Sequence, residues 1–124
     1  MNEKVADNYI SHKKEIKIID NKINTEKNKI KKIDSIEESF VSLNNNINKC
    51  IDLLSASIKG GNVEKKLDAI REESEISYRK SVEDLDAERE EINVNINRLS
   101  DERDFLSEKL RRDAEEDTKE DTDK

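Results

Sequence analysis

The sequence predicts an all-α protein, a long antiparallel two-helix hairpin with coiled-coil-like packing. Three observations carry that prediction. Gly60 and Gly61 are the two glycines among 124 residues, and the chain has no proline. Apolar residues on either side of them recur in steps of three and four, the repeat that buries one stripe of a long helix. The two stripes also stay in register when the chain is folded back at the glycines.

Composition narrows the class. Charged residues make up 44% and hydrophobic residues 31% of the chain, with four aromatic rings and no Trp. That excludes a multilayer globular core and leaves disorder or amphipathic helix, between which periodicity decides for helix. The net charge of −7 is uneven. Residues 1–59 hold 11 Lys and 9 acidic residues, or +2, whereas residues 60–124 hold 13 Lys and Arg against 22 acidic residues, or −9. Antiparallel packing lays the weakly basic half on the acidic half, a modest gain. An acidic chain without a basic stripe argues against nucleic acid as the main partner. No apolar run approaches the ~20 residues of a membrane-spanning helix. The start, Met1 to Asp7, lacks the apolar core of a cleavable signal peptide, so a cytoplasmic location is expected, with export only by a route without such a signal.

The first arm is expected over residues 4–59. Its seam reads Val5, Tyr9, Ile16, Ile19, Ile23, Ile30 and Ile33, with His12 and Glu26 in two polar slots. It then resumes at Ile36, Phe40, Leu43, Ile47, Cys50 and Leu54, which requires two three-residue steps in succession, a stammer that overwinds the helix locally. Leu53, Ile51 and Ile58 widen the apolar face near the turn. Asn44, Asn45 and Asn46 lower intrinsic helicity, so this arm depends on the other for stability.

The turn is expected at Lys59-Gly60-Gly61-Asn62. Glycine takes the left-handed backbone that ends a helix, and Asn62 caps the next one. The second arm, residues 63–111, has a seam of Val63, Leu67, Ile70, Tyr78, Val82, Leu85, Ile92, Ile96, Leu99, Leu106 and Leu110. Ser74, Arg89 and Arg103 fill its polar slots. Steps of four from Ile70 to Val82 predict a stutter that relaxes the supercoil. Glu75 and Arg79 attract at the i,i+4 spacing.

Folding at the glycines pairs Ile58 with Val63, Leu54 with Leu67, Ile51 with Ile70, Leu43 with Tyr78 and Ile36 with Leu85, at a constant index sum of 121. Farther out, Ile30 pairs with Ile92, Ile23 with Leu99 and Ile16 with Leu106, at a sum of 122. Glu26 opposite Ile96 and Arg103 opposite Ile19 are defects in the seam. Phe40 and Tyr78 are expected to pack together. Two helices leave much of each apolar face open, so further helices from another chain, or self-association, are expected to complete the core. Residues 112–124 contain one Ala and no larger apolar residue, and are expected to form a disordered acidic tail or a frayed helix end.

No residue constellation supports catalysis, a cofactor or a metal site. His12 has no second ligand nearby and fits a seam slot. Cys50 excludes an internal disulfide and reads as a small buried apolar residue. The Glu-rich segments lack the Glu-x-x-His pairs of di-iron bundles. The candidate interface is therefore apolar. On the first arm it comprises Ile16, Ile19, Ile23, Phe40, Ile47 and Leu54. On the second it comprises Leu67, Tyr78, Leu99, Leu106 and Phe105, the last lying one place off the seam.

Two helices about a central glycine turn resemble the Esx-type WxG proteins of type VII secretion. The segment from Leu54 through Gly60 to Leu67, followed by Tyr78 and by Ile92-Asn-Val-Asn-Ile96-Asn-Arg-Leu99, more closely resembles the small hairpin proteins encoded beside LXG toxins. The likeness covers roughly residues 30–110. Ile58-Lys59-Gly60 stands where the family has Trp-x-Gly, and Phe105-x-x-x-Lys109 stands in for the Tyr-x-x-x-acid export signal without the acid. The resemblance implies a non-enzymatic targeting factor or chaperone that lies along the helical N-terminal LXG domain of a toxin, with a second small helical partner and secretion alongside the client as further implications. The reading from another class is a self-assembling coiled-coil scaffold, a homo-oligomer when unpartnered.

Overall fold

The computed structural model describes residues 3–58 and 60–122. Lys59 of the turn, Asp123 and Lys124 of the tail, and the side chains of Val5 and residues 117–122 lie outside what it describes. Two helices account for the described chain, α1 (Glu3–Ser57) and α2 (Asn62–Thr122), packed against each other as a hairpin.

The turn forms where glycine permits it. Gly60 and Gly61 have φ of 88° and 82°, in the left-handed region that side chains with a Cβ disfavour. The Ile58 amide donates to the Leu54 carbonyl at 2.9 Å, which closes the last turn of α1. α2 begins at Asn62, which is its first helical residue.

The chain divides into two compact units. One consists of Met1–Lys29 with Ile92–Lys124, and the other is Ile30–Glu91. In the first, Ile19, Ile23 and Leu99 form a buried cluster with Ile96 and Leu106 packed on it. The predicted pairing of Ile23 with Leu99 falls inside this cluster. In the second, Ile33, Ile51 and Leu67 are buried.

The seam differs from the predicted one in an informative way. Besides the half-buried Ala6, Asp20, Asn48 and Ser55, the residues buried or half-buried along α1 are Tyr9, His12, Ile16, Ile19, Ile23, Glu26, Ile30, Ile33, Glu37, Phe40, Asn44, Ile47 and Ile51. Their steps alternate three and four without a break, so the stammer expected at Ile33–Ile36 does not form. Keeping the phase avoids overwinding but places Glu37 and Asn44 in the seam. Ile36, Leu43, Cys50 and Leu54, predicted in the seam, are exposed. Cys50 is therefore not the buried apolar residue expected of it, because Ile51 takes the slot.

On α2 the slots fall at Leu67, Arg71, Ser74, Tyr78, Val82, Leu85, Arg89 and Ile92 in turn. Arg71 replaces the expected Ile70, and both Ile70 and Val63 are exposed. The stutter shrinks to one doubled four-residue step, from Ser74 through Tyr78 to Val82, where Ser81 and Val82 are both half-buried.

α2 also continues to Thr122, so residues 112–122, expected to be disordered or a frayed helix end, are helical. Charge ladders support that extension. Arg111 donates to Glu108 at 2.5 Å and to Glu115 at 2.6 Å, both at helical spacing.

Candidate functional site: an apolar groove beside the turn

The unit of residues 30–91 has two unlike flanks. Consecutive residues lie about 100° apart around a helix, so a residue just before one seam slot and a residue just after the alternate slot border the seam on opposite sides. Asp34 follows Ile33, and Asp86 follows Leu85. These acids occupy one flank and converge on Arg89. Its Nε donates to Asp34 at 3.0 Å and its Nη1 to Asp86 at 2.7 Å, while Nη2 donates to Glu37. The hydrogen bond to Glu37 holds the Arg89 guanidinium above its ordinary range, against the opposing pull of desolvation. Near the turn, Arg71 Nη2 donates to Asp52 at 2.5 Å, and this bond likewise raises the Arg71 guanidinium.

The other flank carries no such pairs among the described residues. Ile36, Leu43 and Cys50 precede the α1 slots Glu37, Asn44 and Ile51. Ile70 and Ser77 precede the α2 slots Arg71 and Tyr78. In an antiparallel pair these two sets lie on the same side of the seam. Leu43 is 56% and Ile70 51% exposed, values that place both outside the α1–α2 contact. Between the helices on this side runs a groove of about 160 Å³ lined by Phe40, Leu43, Asn44, Ile47, Ser74, Ser77, Tyr78 and Ser81. Phe40 and Tyr78, expected as packing partners, both line it.

Three features define this groove chemically. Residues 39–48 carry no ionisable side chain in a chain that is 44% charged. The α1 wall is bulky, with Phe40, Leu43 and Ile47, and the α2 wall is a ridge of Ser74, Ser77 and Ser81. The Asn44 Oδ1 atom is buried without a hydrogen-bond partner, so an occupant that brings a donor would satisfy it.

The eleven interface candidates sort by this geometry. Ile19, Ile23, Leu67 and Leu99 are buried within the chain, and Ile16 and Leu106 are half-buried in the seam. Phe40, Ile47 and Tyr78 are half-buried in the groove walls, and Leu54 is exposed on the same stripe of α1. Phe105 is 61% exposed, with Lys109 Nζ 4.7 Å from its ring centre. Sequence reasoning missed Ile36, Leu43 and Ile70 as surface residues because it placed all three in the seam. The signal was present: Glu37 and Arg71 sit one place away and preserve the heptad phase.

In the unit of residues 1–29 and 92–124, Arg103 Nε donates to Asp20 at 2.5 Å, which resolves the predicted defect opposite Ile19. Lys29 Nζ donates to Glu26 at 2.9 Å. His12 Nδ1 lies 3.7 Å from Asp113 and makes no hydrogen bond among the described residues. The exposed large apolar side chains described in this unit are Ile10, Ile18, Val94 and Phe105.

Among the described residues no group of three or more His, Cys, Asp or Glu could hold a metal ion, and no helix is long and apolar enough to cross a membrane. No protein-family model, curated protein or solved structure matches the chain.

Proposed function

We propose that the protein is a non-enzymatic targeting factor or chaperone that binds the helical N-terminal LXG domain of a toxin and promotes its type VII secretion. The observation that carries this reading is the groove beside the turn. α1 has two overlapping heptad stripes there. One, through Ile33, Phe40, Ile47 and Ile51, is covered by α2. The other, through Ile36, Phe40, Leu43, Ile47 and Leu54, is half open. A helix with two such stripes belongs in a bundle of more than two helices, and a helical client supplies the missing members. The resemblance of Leu54–Leu67 and Ile92–Leu99 to hairpin proteins encoded beside LXG toxins selects the client.

The test is co-expression with an LXG domain encoded beside this chain. A stoichiometric complex that survives size exclusion is expected, and Leu43→Glu should abolish it without loss of helicity. An LXG domain that elutes separately from the folded wild-type hairpin would refute the proposal.

A further inference from the structure

The outer face of α1 in the unit of residues 1–29 and 92–124 is cationic, although the chain is acidic. Residues 10–29 hold six lysines against Glu15, Asp20 and Glu26. Folding sharpens that excess. Asp20 accepts from Arg103, and Glu26 is half-buried in the seam and accepts from Lys29. Glu15 stays exposed on one flank. Lys13, Lys14, Lys17, Lys22 and Lys27 are exposed and belong to none of the ion pairs, whereas Arg98, Arg103, Arg111 and Arg112 of the same unit are all paired. The positions of residues 10–28 farthest from the seam carry Lys14, Lys17, Ile10 and Ile18, with Asn, Ser or Thr elsewhere and no acid. We propose that this face adsorbs the protein to an anionic lipid bilayer, with α1 lying along the headgroups.

The chemistry of the face favours a lipid surface over a folded acidic partner. Its cations are lysines, compact charges on flexible stems that suit mobile headgroups. The forked arginines that would fix a carboxylate in one geometry are used inside the hairpin. Ile10 and Ile18 are about 54% and 53% exposed. They lie about 80° apart around the helix, so they build no stripe on which a second helix could pack. Each can enter the headgroup region singly, between lysines. A cluster of this many lysines on one helix is the usual electrostatic signature of attraction to anionic lipid.

The chain's net charge of −7 does not oppose this contact. The axes of packed helices lie about 8–10 Å apart. Carboxylates on α2 therefore stand farther from the outer face of α1 than the Debye length of about 8 Å at physiological ionic strength.

Flotation of the full chain tests the proposal, with reductant present because Cys50 is exposed. The probes are vesicles of phosphatidylglycerol mixed with phosphatidylcholine, and vesicles of phosphatidylcholine alone. The wild type should float with the anionic vesicles and not with the neutral ones, and salt should release it. Lys13→Gln, Lys14→Gln and Lys17→Gln together should weaken adsorption roughly a hundredfold, with unchanged circular dichroism. Ile10→Ser with Ile18→Ser should weaken it as well. Lys65→Gln, Lys66→Gln and Lys80→Gln remove the same charge from exposed positions of the other unit and should leave adsorption unchanged.

A wild type that ignores anionic vesicles at low salt overturns the proposal. So does equal flotation with neutral vesicles, or an equal loss in the two triple variants, which would assign adsorption to net charge. Binding to polyglutamate or to a DNA duplex, with vesicles left unbound, would overturn it in favour of a macromolecular anion. The client proposal survives each of these failures, because its groove is built from residues 40–81 and shares no side chain with this face.

Discussion

Arg89 and Glu37 occupy seam slots on opposite helices and are hydrogen-bonded to each other across the hairpin. Each side chain is less than a third exposed, so the seam here is ionic rather than apolar. Asp34 and Asp86 accept from the same guanidinium. This cluster explains why α1 keeps its heptad phase through Glu37 instead of slipping to Ile36. The charge that enters the seam is answered from the other helix. Removing one partner leaves the other stranded, whereas replacing both by apolar groups of similar size does not. Arg89→Ala should therefore lower the thermal midpoint, and the double variant Glu37→Leu with Arg89→Leu should recover it or exceed the wild type. Thermal unfolding of the three proteins checks this. A double variant less stable than Arg89→Ala would show that the cluster stabilises the hairpin by its charge.

The hairpin itself was legible because its signals are local and independent. Two adjacent glycines mark the turn, and the apolar repeat marks the helices. The contact of Ile23 with Leu99 followed from register alone, whereas Ile19, set opposite Arg103 by the same register, joins their cluster. The division between seam and surface from Ile33 to the turn was not legible. There, apolar residues occupy two adjacent stripes of α1, and hydrophobicity alone prefers the richer one. The choice was made by groups 52 to 55 positions apart in sequence, Glu37 and Asp34 with Arg89. The groove was hidden for the same reason, since its exposed residues are the ones the apolar pattern assigns to the core. The helix continues past residue 111, where Arg111 pairs with Glu108 and Glu115 at helical spacing, although the composition of residues 112–124 reads as a disordered tail or a frayed helix end.

The glycine doublet gives a prediction about backbone alone. A Cβ built on Gly60 or Gly61 meets nothing within 4 Å, so substitution creates no clash. The remaining cost is the left-handed φ, about 1–2 kcal/mol for an Ala residue. Gly61→Ala should destabilise the hairpin by about that amount, and Gly61→Asn by less, because Asn tolerates this region. Urea unfolding followed by circular dichroism measures both. Equal stability of Ala and Asn variants would show that the turn relaxes to another conformation.

The end of α2 should respond to acid. The hydrogen bond from Arg111, reinforced by its charge and that of Arg112, holds the Glu108 carboxyl below its ordinary value of 4.5. A carboxylate lowered in the folded state contributes stability in full above its unfolded value. That contribution is lost as pH falls through the lowered folded value. Helicity near residue 108 should thus be constant above pH 4.5 and decline below it. Glu108→Gln should remove its part of the decline. Amide signals of residues 105–115, followed by NMR across this range, report it locally. A decline unchanged in Glu108→Gln would assign the acid response to other carboxylates.

The strongest stability prediction falls on Leu99, which is 6% exposed and clusters with Ile19 and Ile23. Truncating a buried leucine removes transfer free energy and leaves a cavity, a loss of about 2–5 kcal/mol. A cluster this small cannot spread that loss over many neighbours. Leu99→Ala should therefore unfold the residue 1–29 and 92–124 unit at lower denaturant than the wild type. Val94→Ala, at an exposed position on the same helix, should change stability by less than about 0.5 kcal/mol. Spin labels at Ile10 and Phe105, both exposed within this unit, follow the separation of its two helices directly. In the wild type their distance should be single-valued, and in Leu99→Ala it should broaden. A sharp distance in both proteins, with equal denaturation midpoints, would mean that Ile19 and Ile23 hold the arms together without Leu99.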